Sequence, residues 1–179
     1  DLLKNNSPND INIVMLDREN MEDYVDLDES IIQKFDSGFL YPAHFSDILR
    51  FSVLFQNGGL WIDAGTYFFS GIDEMFTGRM RSLRDDDARI SRKYASLGRW
   101  SPQVWFGRKS DPFFSIVSRC LARVHLSKYP VEYLIMDELL DLVVQKSSII
   151  GSELERSRKI NDFSGLQKCI LSGNLSSSP

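Results

Sequence analysis

Two cysteines, two histidines and six prolines are all that 179 residues hold of those types, and each scarcity closes a class of explanation. A chain of this length buries roughly 70% of its unfolded surface without covalent staples, so Cys120 and Cys169 need no disulfide role. With two histidines and no Cys/His spacing there is no zinc-finger pattern, and His44 and His125 read as structural residues. No run approaches the roughly 18 apolar residues that a membrane span needs. No signal-peptide pattern opens the sequence, and Gly-x-Gly-x-x-Gly, P-loop and nucleophile-elbow motifs are missing.

What is present is a globular composition of 42% hydrophobic, 12% aromatic and 26% charged residues, which excludes whole-chain disorder. With no internal repeat, residues 1–179 read as a single domain. The start at Asp1 without a Met and the Ser-Ser-Ser-Pro end make an N-terminally truncated fragment the expectation. Asn5-Asn6-Ser7 and Asn174-Leu175-Ser176 match the glycosylation pattern, but in Ser/Asn-rich ends such matches arise by chance.

The net charge of −4 argues against a dedicated nucleic-acid binder. It is an average over unlike segments. Residues 1–78 carry 4 Lys/Arg against 14 Asp/Glu, residues 79–128 carry 12 against 4, and residues 129–179 carry 5 against 7. A basic block between acidic flanks suits an anionic ligand, although most of its individual arginines read as solvated.

The pattern along the chain alternates strands with helices and predicts an α/β layered fold. Ile11 to Leu16 is a β-branched apolar run ending at Asp17 and predicts a buried strand; 28–35 predicts a short helix capped by Asp28. From Ala43 to Phe55 the sequence is apolar on nearly every side and predicts a buried helix, stopped at Asn57-Gly58-Gly59. Leu60-Trp61-Ile62 predicts a strand that delivers Asp63 to its C-terminal edge, with Tyr67, Phe68 and Phe69 continuing in extended form. Residues 77–102 lack periodicity and predict a mobile basic loop. Val104 to Phe106 predicts a strand, 113–127 and 131–145 helices, and 163–171 a further short helix.

The chemistry concentrates in Ser46-Asp47-Ile48-Leu49-Arg50 and Gly58-Gly59-Leu60-Trp61-Ile62-Asp63-Ala64-Gly65. Asp47 and Arg50 are three apart and share a face of an otherwise apolar helix. Burying that pair costs desolvation unless further hydrogen bonds compensate, so it is either a structural ion pair or a ligand site. Ligands of open α/β sheets bind beyond the carboxyl ends of strands. A carboxylate at Asp63 suits a divalent cation or sugar hydroxyls, or caps the following turn.

These two stretches at their spacing resemble the donor-binding core of GT-A-fold sugar-nucleotide glycosyltransferases, the superfamily of the DXD-motif sugar transferases. The Trp-Ile-Asp-Ala form looks most like the bacterial capsular polysaccharide synthesis transferases. The strong match covers residues 43–65, and a looser one 11–145. The resemblance implies a Rossmann-like α/β/α fold with a mostly parallel central sheet. It implies transfer of a sugar from a nucleotide-diphosphate donor, a UDP-sugar above all, to a hydroxyl of a saccharide or lipid-linked saccharide. It places such a protein in the cytoplasm, peripheral to the inner face of the membrane.

Residue by residue, the resemblance implies that Arg50 meets the sugar or phosphates, Asp47 the sugar hydroxyls, and that Gly58 and Gly59 make the tight turn beside the donor. Asp63 stands at the first aspartate of the DXD motif, reaching the ribose, the sugar or a divalent cation, Mn²⁺ or Mg²⁺. Gly65 stands where the second aspartate usually binds that cation, which puts the metal in question. Cations must then neutralise the leaving diphosphate, and Arg79, Arg81, Arg84, Arg92 and Arg108 are the candidates.

Asp137 falls in a largely apolar helix, where a surface or capping role competes with the acceptor-side base that the resemblance implies. The Asp85-Asp86-Asp87 run reads as a solvated turn, Trp61 as core, and Trp100 and Trp105 as either core or a sugar-facing surface. Two rival functions remain open. One is a non-catalytic nucleotide-sugar binding module or partner subunit, which Gly65 favours; the other is a metal-dependent phosphotransferase.

Overall fold

The computed structural model describes residues 11–66, 75–84 and 94–159. After a 3₁₀ turn at Met21–Asp23 come helices α1 (Glu29–Asp36) and α2 (Pro42–Asn57) and strand β1 (Gly59–Ile62). Strands β2 (Met80–Arg84) and β3 (Val104–Gly107) follow, then helices α3 (Pro112–His125), α4 (Ile135–Lys146) and α5 (Ser148–Glu155) and the two-residue strand β4 (Arg158–Lys159).

The predicted helices form where the sequence provides starts and stops. Asp28 caps α1 by accepting the Ser30 N–H at 2.8 Å, and Asp111 caps α3 by accepting the Phe113 N–H at 3.0 Å, ahead of Pro112 in the first turn. Helix α2 ends at Gly58, whose φ of +72° and ψ of −165° place it where only glycine is comfortable. A Cβ there would stand 2.6 Å from the Lys109 backbone nitrogen, so the turn into β1 also needs the missing side chain for close approach.

The sheet corrects the expectation of a mostly parallel one. Its order is β1-β3-β2-β4, with β3 antiparallel to both β1 and β2, and only the short β2–β4 pair parallel. Parallel neighbours need a crossover that carries the chain back, usually a helix. Among the described residues no helix lies between β1 and β2 or between β2 and β3, whereas α3, α4 and α5 separate β2 from β4. The described fold is therefore mixed α/β with a small, mainly antiparallel sheet.

Three further readings change. Residues 11–16 form no strand, and Ile13, Val14 and Met15 are exposed; apolar content did not suffice without a described strand to pair with. Within 77–102, residues 80–84 are strand β2. It escaped periodicity because buried Ser82 takes a core position, its hydroxyl donating to the carbonyls of Ser101 and Val104, while Arg81 is paired to Glu153 at 2.9 Å. Helix α4 starts at Ile135, later than the predicted 131, and α5 interrupts a stretch that had no clear pattern. Tyr67 to Phe69, Asp85 to Asp87, Arg92, Cys169, both glycosylation matches and the 163–171 helix lie outside the described residues.

The core sits between α2, α3 and the sheet. Phe51, Trp105, Phe113 and Phe114 pack as one aromatic cluster with centroid separations of 5.1 to 6.2 Å. Such rings are worth about 0.5–1.5 kcal/mol per pair beyond area burial. Phe114 lies against Gly107 at the end of β3, where any side chain would displace it. That packing sets α2 against the sheet and fixes the end of β1.

Candidate functional site

Helix α2 brings Asp47 and Arg50 to one face, as the three-residue spacing predicts, and β1 brings Asp63 to meet them. Arg50 Nη1 donates to Asp47 Oδ1 at 3.0 Å, and Nη2 donates to Asp63 Oδ1 at 3.1 Å. The indole N–H of Trp61 donates to the same Asp63 oxygen at 2.6 Å, and the guanidinium stands 5.6 Å from the Trp61 ring centroid. Trp61 is thus half-buried and engaged by the site as well as packed on the core. The backbone of Asp63 is held too: its N–H donates to the Gln103 carbonyl at 2.9 Å, and its carbonyl accepts from Thr66 at 2.8 Å.

Arg50 is 3% exposed, a guanidinium buried between two carboxylates. Its Nη1 also reaches the Met136 sulfur at 3.4 Å, while its Nε has no partner. Burial pushes the Asp47 carboxyl up to about 6, against the pull of Arg50 and His44, with Asp63 adding to the rise.

Asp137 corrects the surface reading. It is buried in the first turn of α4 and accepts the Trp100 indole N–H at 2.8 Å. Burial raises its pKa, opposed by the Trp100 hydrogen bond and the Arg99 charge. Sequence gave no sign of this pair, because 37 residues separate donor from acceptor.

These groups line one cavity of about 540 Å³, walled by Asp47 and Arg50 from α2, Asp63 from the end of β1, Trp100 to Gln103 ahead of β3, and Tyr133, Leu134, Met136 and Asp137 around the start of α4. Four of the sequence-identified residues, Asp47, Arg50, Asp63 and Asp137, therefore meet. Gly58 and Gly59 do not line it: their positive φ values make the α2–β1 turn, and Gly58 approaches the protein's own backbone at Lys109.

Four of the five candidate arginines are directed elsewhere. Arg79 pairs with Asp111, Arg81 with Glu153, Arg84 donates to the Glu155 carbonyl at 2.6 Å, and Arg108 to the Gly78 carbonyl at 2.7 Å. None of these four lines the cavity, and Arg92 is outside the described residues. Tyr94, Gln103 and Tyr133 line it without having been singled out, since no motif marks them, and Trp100, read as either core or a sugar-facing surface, lines it while 3% exposed.

Asp63 is the residue that the resemblance implies for a divalent cation. Among the described residues no group of three His, Cys, Asp or Glu side chains is placed to hold a metal ion. Asp63, the one carboxylate assigned to that role, already accepts from a guanidinium and an indole, and Gly65 offers no second carboxylate.

The fold and the cavity define a mixed α/β protein whose cavity holds a buried arginine between two carboxylates, with a third carboxylate, Asp137, on Trp100. Residues 1–170 match the family described as capsular polysaccharide synthesis protein, and the chain belongs to that family. No curated protein sequence and no solved structure matches it. No helix among the described residues is long and apolar enough to cross a membrane.

Proposed function

We propose that the protein is a glycosyltransferase of capsule synthesis that moves a sugar from a nucleotide-diphosphate donor, a UDP-sugar, to a hydroxyl of a saccharide or lipid-linked saccharide acceptor. The observation that carries this is the convergence of Asp47, Arg50, Asp63 and Asp137 on one cavity from three separate parts of the chain. Family membership supports the biosynthetic setting.

In this reading the carboxylates of Asp47 and Asp63 accept hydrogen bonds from sugar and ribose hydroxyls, as each retains lone pairs beyond those Arg50 uses. Arg50 carries the positive charge that stabilises the departing diphosphate, and its unpartnered Nε–H is a donor in reserve. Asp137 takes the proton of the acceptor hydroxyl as the acceptor oxygen bonds to the anomeric carbon and the bond to the diphosphate oxygen breaks. Its upward-shifted pKa improves it as a base relative to an ordinary carboxylate. No step is assigned to a metal.

The test is mass-spectrometric product analysis with a panel of nucleotide sugars and capsular acceptors. Release of nucleoside diphosphate with sugar transfer or donor hydrolysis is expected. Donor binding with neither would favour the second reading, a non-catalytic nucleotide-sugar binding module, for which the missing second aspartate at Gly65 speaks.

A further inference from the structure

The donor chemistry leaves one aromatic ring of the cavity wall and one beside it unused. Tyr133 lines the cavity and is 71% exposed; Tyr41, at the start of α2, is outside the lining and 73% exposed. Both flank one imidazole: the His44 ring centroid lies 6.1 Å from that of Tyr41, edge-on, and 5.9 Å from that of Tyr133. His44 is buried, its Nε2 stands 3.4 Å from the Tyr133 carbonyl oxygen, and its ring packs on that of His125 at 4.5 Å. The two tyrosines are thus mounted on a buried support, and neither phenol has a hydrogen-bond partner among the described residues.

Large aromatic faces left in water are a recurrent mark of a binding surface, and tyrosine suits a partner with one apolar face and one wet edge. A pyranose ring has that character, with C–H groups on its face and hydroxyls around its rim. Trp100 and Trp105, where the sequence allowed a sugar-facing surface, are 3% and 0% exposed and cannot supply it. An anionic lipid headgroup, the other partner that exposed aromatics attract, would have to approach Glu132 beside Tyr133 and the carboxylates of Asp47 and Asp137 in the cavity.

We propose that Tyr133 in the cavity wall and Tyr41 across His44 from it form a platform for an uncharged saccharide chain that leads into the cavity. Sugar rings lie over the two phenols, and a terminal hydroxyl enters toward Asp137. The direction of that chain rests on the transferase reading; the binding itself does not.

The test measures binding without any donor, by saturation-transfer NMR and on an array of immobilised neutral capsular oligosaccharides. Wild type is expected to bind, and Tyr41→Ala and Tyr133→Ala each to bind about tenfold more weakly. Tyr41→Trp and Tyr133→Trp, which keep an aromatic face, should retain binding. So should Tyr129→Ala, whose exposed ring sits beside Lys128 and not beside His44. No glycan capture by wild type, unchanged capture by the alanine variants, or failure of the tryptophan variants to bind overturns the proposal. Loss in the alanine variants of binding to phosphatidylglycerol–phosphatidylethanolamine vesicles, with no glycan capture, does so in favour of a membrane surface. Donor turnover without glycan capture would sink the platform alone. Capture through these tyrosines without donor turnover would sink the transferase reading alone.

Discussion

Arg50 and Asp63 join the middle of helix α2 to the residue that follows strand β1 through a 3.1 Å charge-assisted hydrogen bond, with the arginine buried and the aspartate about one-third exposed. The two ends of this bond have different consequences on removal. Arg50→Ala strips the buried Asp47 carboxylate of its counter-charge and should cost about 3–5 kcal/mol of stability. Urea unfolding checks that figure.

Asp63→Asn retains an oxygen for the Trp61 and Arg50 N–H groups and loses its charge, while Arg50 keeps Asp47 as counter-ion. Its fold should survive with a loss of about 1 kcal/mol or less, while sugar transfer and donor hydrolysis fall roughly 100-fold or more. Asp63→Ala should abolish both reactions in a folded protein. Undiminished turnover in that variant removes the assignment of Asp63.

Acid acts in opposite senses on two buried groups. Asp47, facing Arg50, His44 and Asp63, is raised by burial from 3.8 to about 6, so its stabilising contribution is full below 3.8 and is lost as pH rises through 6. His125, facing His44 and Lys34, is lowered by burial from 6.5 to about 4, so its contribution is full above 6.5 and is lost as pH falls through 4. Between pH 6.5 and 4, wild type should therefore lose stability relative to His125→Leu and gain it relative to Asp47→Asn. Chemical denaturation at several pH values reads both differences. A leucine also removes the unpartnered His125 Nε2.

Two glycines of the same motif should behave unlike each other. Gly58→Ala meets a positive φ and the Lys109 backbone, and should cost more than about 1–3 kcal/mol. Gly65 has open space where a Cβ would stand and no positive φ, so Gly65→Ala should stay within roughly 0.5 kcal/mol of wild type. Thermal unfolding of the pair separates a glycine needed by the turn from one that is not.

Chelation supplies the remaining test. With Asp63 already engaged and no acidic cluster among the described residues, EDTA should leave turnover within about twofold. Gly65→Asp, which adds the second carboxylate in open space, should acquire a Mn²⁺-dependent thermal shift that wild type lacks. A large loss of wild-type activity on chelation would reverse this.

Helices α1, α2 and α3, strands β1 and β3 and the Asp47–Arg50 pairing were legible because each depends on neighbours within a few residues: a cap at Asp28 or Asp111, a glycine stop at Gly58, a three-residue spacing on one helix face. Strand β2 was not, since its buried serine and paired arginines owe their burial to Ser101, Val104 and Glu153, distant in the chain.

The sequence by itself determined which chemical groups this protein offers, and which of them sit on one helix face or at one strand end, because those facts follow from periodicity and local backbone geometry. Tertiary structure decided that β3 runs antiparallel to its neighbours, that Asp137 is buried on Trp100, and that Arg79, Arg81, Arg84 and Arg108 bond to other groups of the protein. It also decided that Tyr133 and the carboxylates share one cavity, with Tyr41 outside its lining. Each of those outcomes rests on contacts between residues far apart in the chain, whose energies depend on how the whole core packs.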